Sequence, residues 1–172
     1  MSNIYTDLAR QTIEMYLTKN ELPNTKSAAI ELQQKRAACF VTLHTESGNL
    51  CGCIGSIRPM YKSLAGEIIA NTVAAATQDT RFTPVRASEL GEIRISVDVL
   101  KEPELIASQK ELDIKRFGLI VQADDGRNGL LLPDIEGIKN IDEQVTIARE
   151  KAGIDKDEPI ALFRFSAERF SE

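Results

Sequence analysis

The sequence predicts an α+β fold built on a mainly antiparallel sheet, because two hydrophobic patterns recur along it. Apolar residues alternate in short runs that come in pairs around turn-forming residues, and between those pairs they recur at three- and four-residue intervals. A length of 172 residues, with 42% hydrophobic and 27% charged side chains, fits one globular domain over residues 1–172 that can bury a core.

The elements follow in order. Tyr5, Leu8, Ala9, Thr12, Ile13 and Tyr16 share one helical face, which predicts a first helix over residues 5–17. Pro23 breaks it within residues 20–24, and a short second helix is expected over 27–35. CFVTLH (39–44) and LCGCIG (50–55) flank Ser47, Gly48 and Asn49, residues that tolerate turn conformations, so they predict a hairpin. Folding about that turn sets His44 near Leu50 and Val41 near Cys53, puts Cys51 and Cys53 on one strand face, and leaves Cys39 too far from either for a disulfide. SLAGEIIANTVAAAT (63–77) predicts a buried helix capped by Ser63. Ile93, Ile95, Val97 and Val99 alternate with polar residues as a strand over 93–100. FGLIVQ (117–122) and GLLL (129–132) bracket ADDGRN as a second hairpin, ended by Pro133. A helix is expected over 142–152, with Asp142 as N-cap and Gly153 as its stop, and a closing strand over 160–165.

Composition narrows function. With 21 basic and 26 acidic side chains the net charge is −5, which opposes whole-surface attraction to phosphate backbones or anionic lipid, so nucleic acid is not the expected partner. The first twenty residues carry no cationic run followed by an apolar core, and no apolar run approaches the roughly 20 residues of a membrane span. With three cysteines and one histidine, a poor disulfide framework, these features predict a cytoplasmic protein without membrane association. No metal is expected: a zinc site would need Cys39, Cys51, Cys53 and His44 together, without the spaced ligand pairs of zinc motifs. Residues 124–129 lack the oxygen ligands of a calcium loop and read as a turn. P-loop, dinucleotide and serine-elbow patterns are absent.

Two segments stand out as candidate chemistry. Gly52 and Gly55 sit inside a strand pattern, where glycine marks close approach by a ligand or another backbone. Cys53 between them is a candidate nucleophile if exposed, and a small buried hydrophobe if not. His44, at a strand end, is not expected to reach it. Asp79 follows the alanine-rich helix at an end where the dipole disfavours a carboxylate, which calls for a partner, and Arg81 is the local candidate. The structural reading has Asp79 and Arg81 satisfying loop backbone while Phe82 plugs the core. The functional one has Arg81 binding an anion.

These same residues carry a resemblance. LCGCIG, AAATQDTRFTPV and IRISVDVL, with FGLIVQADDGRNGLLLPDIEGIKNIDEQVTIAREKAGI, are similar to the AMMECR domain, especially its microbial branch, AmmeMemoRadiSam system protein A, over roughly residues 37–166. Cys51 stands where the family pattern has arginine. The resemblance implies two unequal lobes around a ligand groove, with Cys53 as candidate catalytic residue and Cys51, Gly52, Ile54, Gly55, Asp79, Arg81 and Phe82 along the groove. It also implies an accessory or catalytic component acting with a Memo-like protein and a radical S-adenosylmethionine enzyme, with a small molecule or peptide in the groove. The alternative is a noncatalytic binding module for a protein segment or single-stranded nucleic acid.

Overall fold

The computed structural model describes residues 3–172 and divides into two compact units. The first runs to Val99 and takes back Glu168–Glu172; the second is Leu100–Ala167. Each has its own antiparallel sheet and its own core, with three α-helices in the first unit and one in the second, so the α+β class is observed as two four-stranded sheets.

In the first unit, α1 (Ile4–Lys19) starts at Asn3, whose side chain accepts from Tyr5 N–H, and ends at Asn20 with φ 53°. The expected second helix is shorter, α2 (Ile30–Gln34), because Thr25–Ser27 forms a separate 3₁₀ turn on its own Asn24 cap. Next come β1 (Cys39–Thr45), β2 (Leu50–Gly55), α3 (Leu64–Thr77) and β3 (Ile93–Leu100). β1 pairs antiparallel with both β2 and β3, and the sheet order places β2 at one edge. The other edge is a strand that sequence patterning misses, β8 (Ala167–Ser171), which has only one large apolar side chain, Phe170. Ile13, Val41, Leu43, Leu64, Ile68, Ile95 and Val97 form the interior, each at most 1% exposed.

The second unit contains β4 (Glu104–Ile106), β5 (Gly118–Ala123), β6 (Asn128–Leu131), α4 (Ile141–Ala152) and β7 (Ile160–Phe165), with sheet order β4-β7-β5-β6. Asn140, rather than the expected Asp142, caps α4 by accepting from Glu143 N–H; Asp142 lies in the first turn, where its charge faces the positive end of the dipole. Gly153 stops the helix at φ 63°, as its position predicts.

Both units solve helix-on-sheet packing the same way. A Cβ on Gly52 would lie 2.0 Å from the Ala75 carbonyl oxygen of α3, and one on Gly129 would lie 2.0 Å from the Ala148 carbonyl oxygen of α4. The strand has to be glycine where the helix backbone touches it. Gly52→Ala and Gly129→Ala are therefore each expected to lower stability by about 1–3 kcal/mol or more in urea melts, because overpacking meets backbone that cannot swing aside. Gly91→Ala, which meets nothing within 4 Å, should leave the midpoint unchanged.

Candidate functional site

The site is built on β2, and it begins with a register correction. Thr42, not Val41, lies opposite Cys53, and Val41 faces Ile54, because the ladder slips between Leu43 and His44 while His44 keeps Leu50. The β-bulge takes up Cys51 as the extra residue, so the simple alternation that would put Cys51 and Cys53 on one face is interrupted there. The glycines are explained from within the fold. Gly52 admits Ala75, and a Cβ on Gly55 would strike the Phe40 ring at 2.3 Å and the Cys39 carbonyl oxygen at 2.5 Å.

β2 is an edge strand, so its outward N–H and C=O groups need partners. Asp79 and Arg81 supply them at Cys53. Asp79 Oδ2 accepts from the Cys53 N–H at 2.9 Å, and Arg81 Nη2 donates to the Cys53 carbonyl at 3.2 Å. The two side chains also bind each other, Nε to Oδ1 at 2.9 Å and Nη2 to Oδ2 at 2.7 Å, while the Arg81 N–H turns back onto Oδ1 at 3.2 Å. The Asp79 side chain is 4% exposed and that of Arg81 is 59% exposed. The cation keeps its hydration, and the desolvation falls on a carboxylate with all its acceptor directions met. The Arg81 guanidinium, followed by the Cys53 N–H, holds the Asp79 carboxyl well below the usual carboxylate range against the opposing effect of burial.

Asp79 completes a ladder along α3 at four-residue spacing. Glu67 accepts from Ser56 Oγ at 3.2 Å, Asn71 Nδ2 donates to the Cys39 carbonyl at 3.0 Å, Ala75 meets Gly52, and Asp79 meets Cys53. Glu67 and Asn71 are 1% and 8% exposed. Sequence reasoning passes over both, although a Glu and an Asn at i and i+4 in an otherwise apolar helix are a readable sign of a polar face with fixed partners.

The three thiols differ. Cys39 is fully buried, and burial pushes its pKa up to about 12. Cys53 is half-buried and its Sγ accepts from Thr42 Oγ1 at 3.3 Å. Cys51 is half-buried, burial raises its pKa, and it lines a cavity of about 190 Å³ with Thr45, Leu50, Phe82, Thr83, Val85, Glu89, Glu92 and Ile93. Of the expected groove residues, Cys51 and Phe82 line this cavity, while Cys53, Asp79 and Arg81 form the clamp beside it and Gly52, Ile54 and Gly55 pack inward. Phe82 does not plug the core: it is half-buried under the Arg81 guanidinium, 5.2 Å from its centroid, and Val85 goes inside instead, at 7% exposed. All three cysteines are free, and among the described residues no cluster of three His, Cys, Asp or Glu side chains is placed to hold a metal.

Comparison with known proteins gives consistent matches over nearly the whole chain. The AMMECR1 family model matches residues 6–170. A Thermotoga maritima protein is 45% identical over 168 residues, covering 96% of each chain. A Clostridium acetobutylicum protein is 41% identical and aligns with 98% of this chain but only 36% of its own length. The crystal structure of an uncharacterised Pyrococcus horikoshii protein superposes with a TM-score of 0.87 at 32% identity, covering 98% of this chain and 89% of the other. Among the described residues no helix is long and apolar enough to cross a membrane.

The depressed Asp79 pKa fixes the sign of a pH effect. An unfolded aspartate titrates near about 3.9, so the stabilisation is complete above roughly pH 5 and is lost as the pH falls toward the folded value. Asp79→Ala is expected to lower stability by about 1–3 kcal/mol at neutral pH. The gap between wild-type and variant urea midpoints should then stay constant above about pH 5 and narrow as the pH is lowered from about 5 toward 3. A gap that stays constant over that lower range would mean the carboxylate charge contributes nothing.

Proposed function

This chain belongs to the AMMECR1 family, and from that premise we propose that it is an accessory component that holds a small molecule or peptide group at the Cys51–Phe82 cavity. It does so alongside a Memo-like protein and a radical S-adenosylmethionine enzyme. The observation that carries the reading is the use to which the motif residues are put. Asp79 and the Nε and Nη2 groups of Arg81 are engaged with each other and with the Cys53 main chain, so they brace the wall of a cavity. A cavity of about 190 Å³ is smaller than the roughly 300–1,000 Å³ pockets that enclose a drug-sized ligand, which suits a group of side-chain size. Arg81 Nη1 makes no hydrogen bond among the described residues, and the Arg81 side chain, next in sequence to Phe82 of the cavity lining, is 59% exposed. The Clostridium relative supports an accessory role, since there the matching region occupies 36% of a longer protein.

A catalytic reading is favoured by one contact, the Thr42 hydroxyl donating to Cys53 Sγ, which fixes the orientation of a half-buried thiol. Reconstitution with the two partners separates the readings. On the accessory reading, adding this chain stimulates S-adenosylmethionine cleavage by the radical enzyme. Cys53→Ala then retains that stimulation within about threefold, and Thr83→Trp, which fills the cavity, abolishes it without changing the melting temperature. Loss of about a thousandfold in Cys53→Ala would make Cys53 the nucleophile. Wild-type protein that neither binds nor stimulates either partner would end the proposal.

A further inference from the structure

The loop after β2, residues 56–62, is anchored from inside the protein and displays its large side chains outside. Glu67, 1% exposed in the first turn of α3, makes no ion pair among the described residues. Its carboxylate accepts from the Met60 N–H, from the Tyr61 N–H at 2.6 Å and from Ser56 Oγ at 3.2 Å. A carboxylate buried without a countercharge is tolerated only where donors meet it, and here every donor belongs to this one loop. The near side of Tyr61 also rests on Gly66, where an added Cβ would come within 3.0 Å of Tyr61 Cβ. The loop is thereby fixed, yet Met60 is 76% exposed and Tyr61 49%.

Its charge is equally one-sided. Arg58 and Lys62 are exposed and make no hydrogen bond or ion pair among the described residues, and Arg36 reaches the same loop through Nη2 to the Pro59 carbonyl at 3.4 Å. Arg10, Arg94, Arg127 and Arg164, in contrast, each hold a carboxylate. Between positions 32 and 66 the only carboxylate is Glu46, which is bound to Arg94 at the opposite end of the hairpin.

We propose that Arg36, Arg58, Met60, Tyr61 and Lys62 form a docking surface for an acidic segment of a partner protein, one that carries apolar side chains between its carboxylates. Arg, Tyr and Met are the side chains enriched at protein interfaces, and holding them in place before contact removes part of the ordering cost of binding. Single-stranded nucleic acid fits less well. The loop offers one aromatic ring for stacking, and a polyphosphate extending past three cations would meet the field of a chain with net charge −5. This surface is separate from the Cys51–Phe82 cavity, and the inference does not depend on what that cavity holds.

The test is a titration of the full ¹⁵N-labelled chain, followed by NMR, with two probes. One is the synthetic peptide acetyl-Asp-Glu-Leu-Phe-Asp-Glu-amide, and the other is oligouridylate. The peptide should shift the amides of residues 36 and 56–62 to saturation at millimolar concentration. Arg58→Glu with Lys62→Glu, and separately Met60→Ser with Tyr61→Ser, should each weaken it by about tenfold while leaving distant resonances unchanged. No saturable shift, shifts located elsewhere, or equal affinity in the wild type and both double variants would overturn the proposal. Saturation of the same amides by oligouridylate but not by the peptide would also overturn it and make the loop a nucleic-acid surface.

Discussion

The open edge of β2 is the constraint on which the rest of this site depends. An edge strand presents unpaired donors and acceptors, and β2 has a strand neighbour on one side only. Asp79 and Arg81 act as a substitute for the missing strand, one accepting from and the other donating to the same residue. With Cys53 fixed, the bulge at Cys51 has a rigid neighbour, and the turn through Phe82 to Val85 is carried back to α3 by the Val85 N–H to Ala76 carbonyl bond at 2.9 Å. The cavity beside Cys51 is the space left between these two fixed segments.

A second carboxylate repeats the electrostatic arrangement within the same unit. Asp98 on β3 is 2% exposed and accepts from Arg169 of β8 at 2.7 and 3.2 Å, and the Arg169 side chain is 57% exposed. In both pairs the carboxylate is inside and the guanidinium reaches it from the surface. Only one ion is fully desolvated, which lowers the penalty that makes buried pairs unfavourable. Both edges of the sheet are thus secured by arginines acting on buried aspartates.

Much of this was legible in the sequence where one local pattern decides the outcome. The alternation in IRISVDVL, the Ser63 cap and the Gly153 stop all give the observed elements. Asp79 beside Arg81 was readable as a pair because a carboxylate at a helix end needs a partner. What could not be read depends on three-dimensional approach. Whether a strand glycine meets a ligand or a helix carbonyl is decided by where α3 lies, and the slip at Cys51 is set by pairing on both sides of β1. β4 has three residues and β8 one large apolar side chain, too little pattern to detect. Glu67 shows in the sequence only as a polar residue in an apolar helix; two of its three partners are backbone groups, which leave no trace in side-chain identities.

The Asp79 carboxylate, acting with Arg81, holds the outer edge of β2 at Cys53. Amide hydrogen exchange at Cys53 tests it most directly, since on an edge strand that N–H has no strand to protect it. The account predicts that near neutral pH the Cys53 amide is protected to a degree approaching that of the β1 amides, and that Asp79→Ala removes this protection while leaving β1 protected. Exchange of the wild-type Cys53 amide at the rate of an unstructured peptide would contradict it.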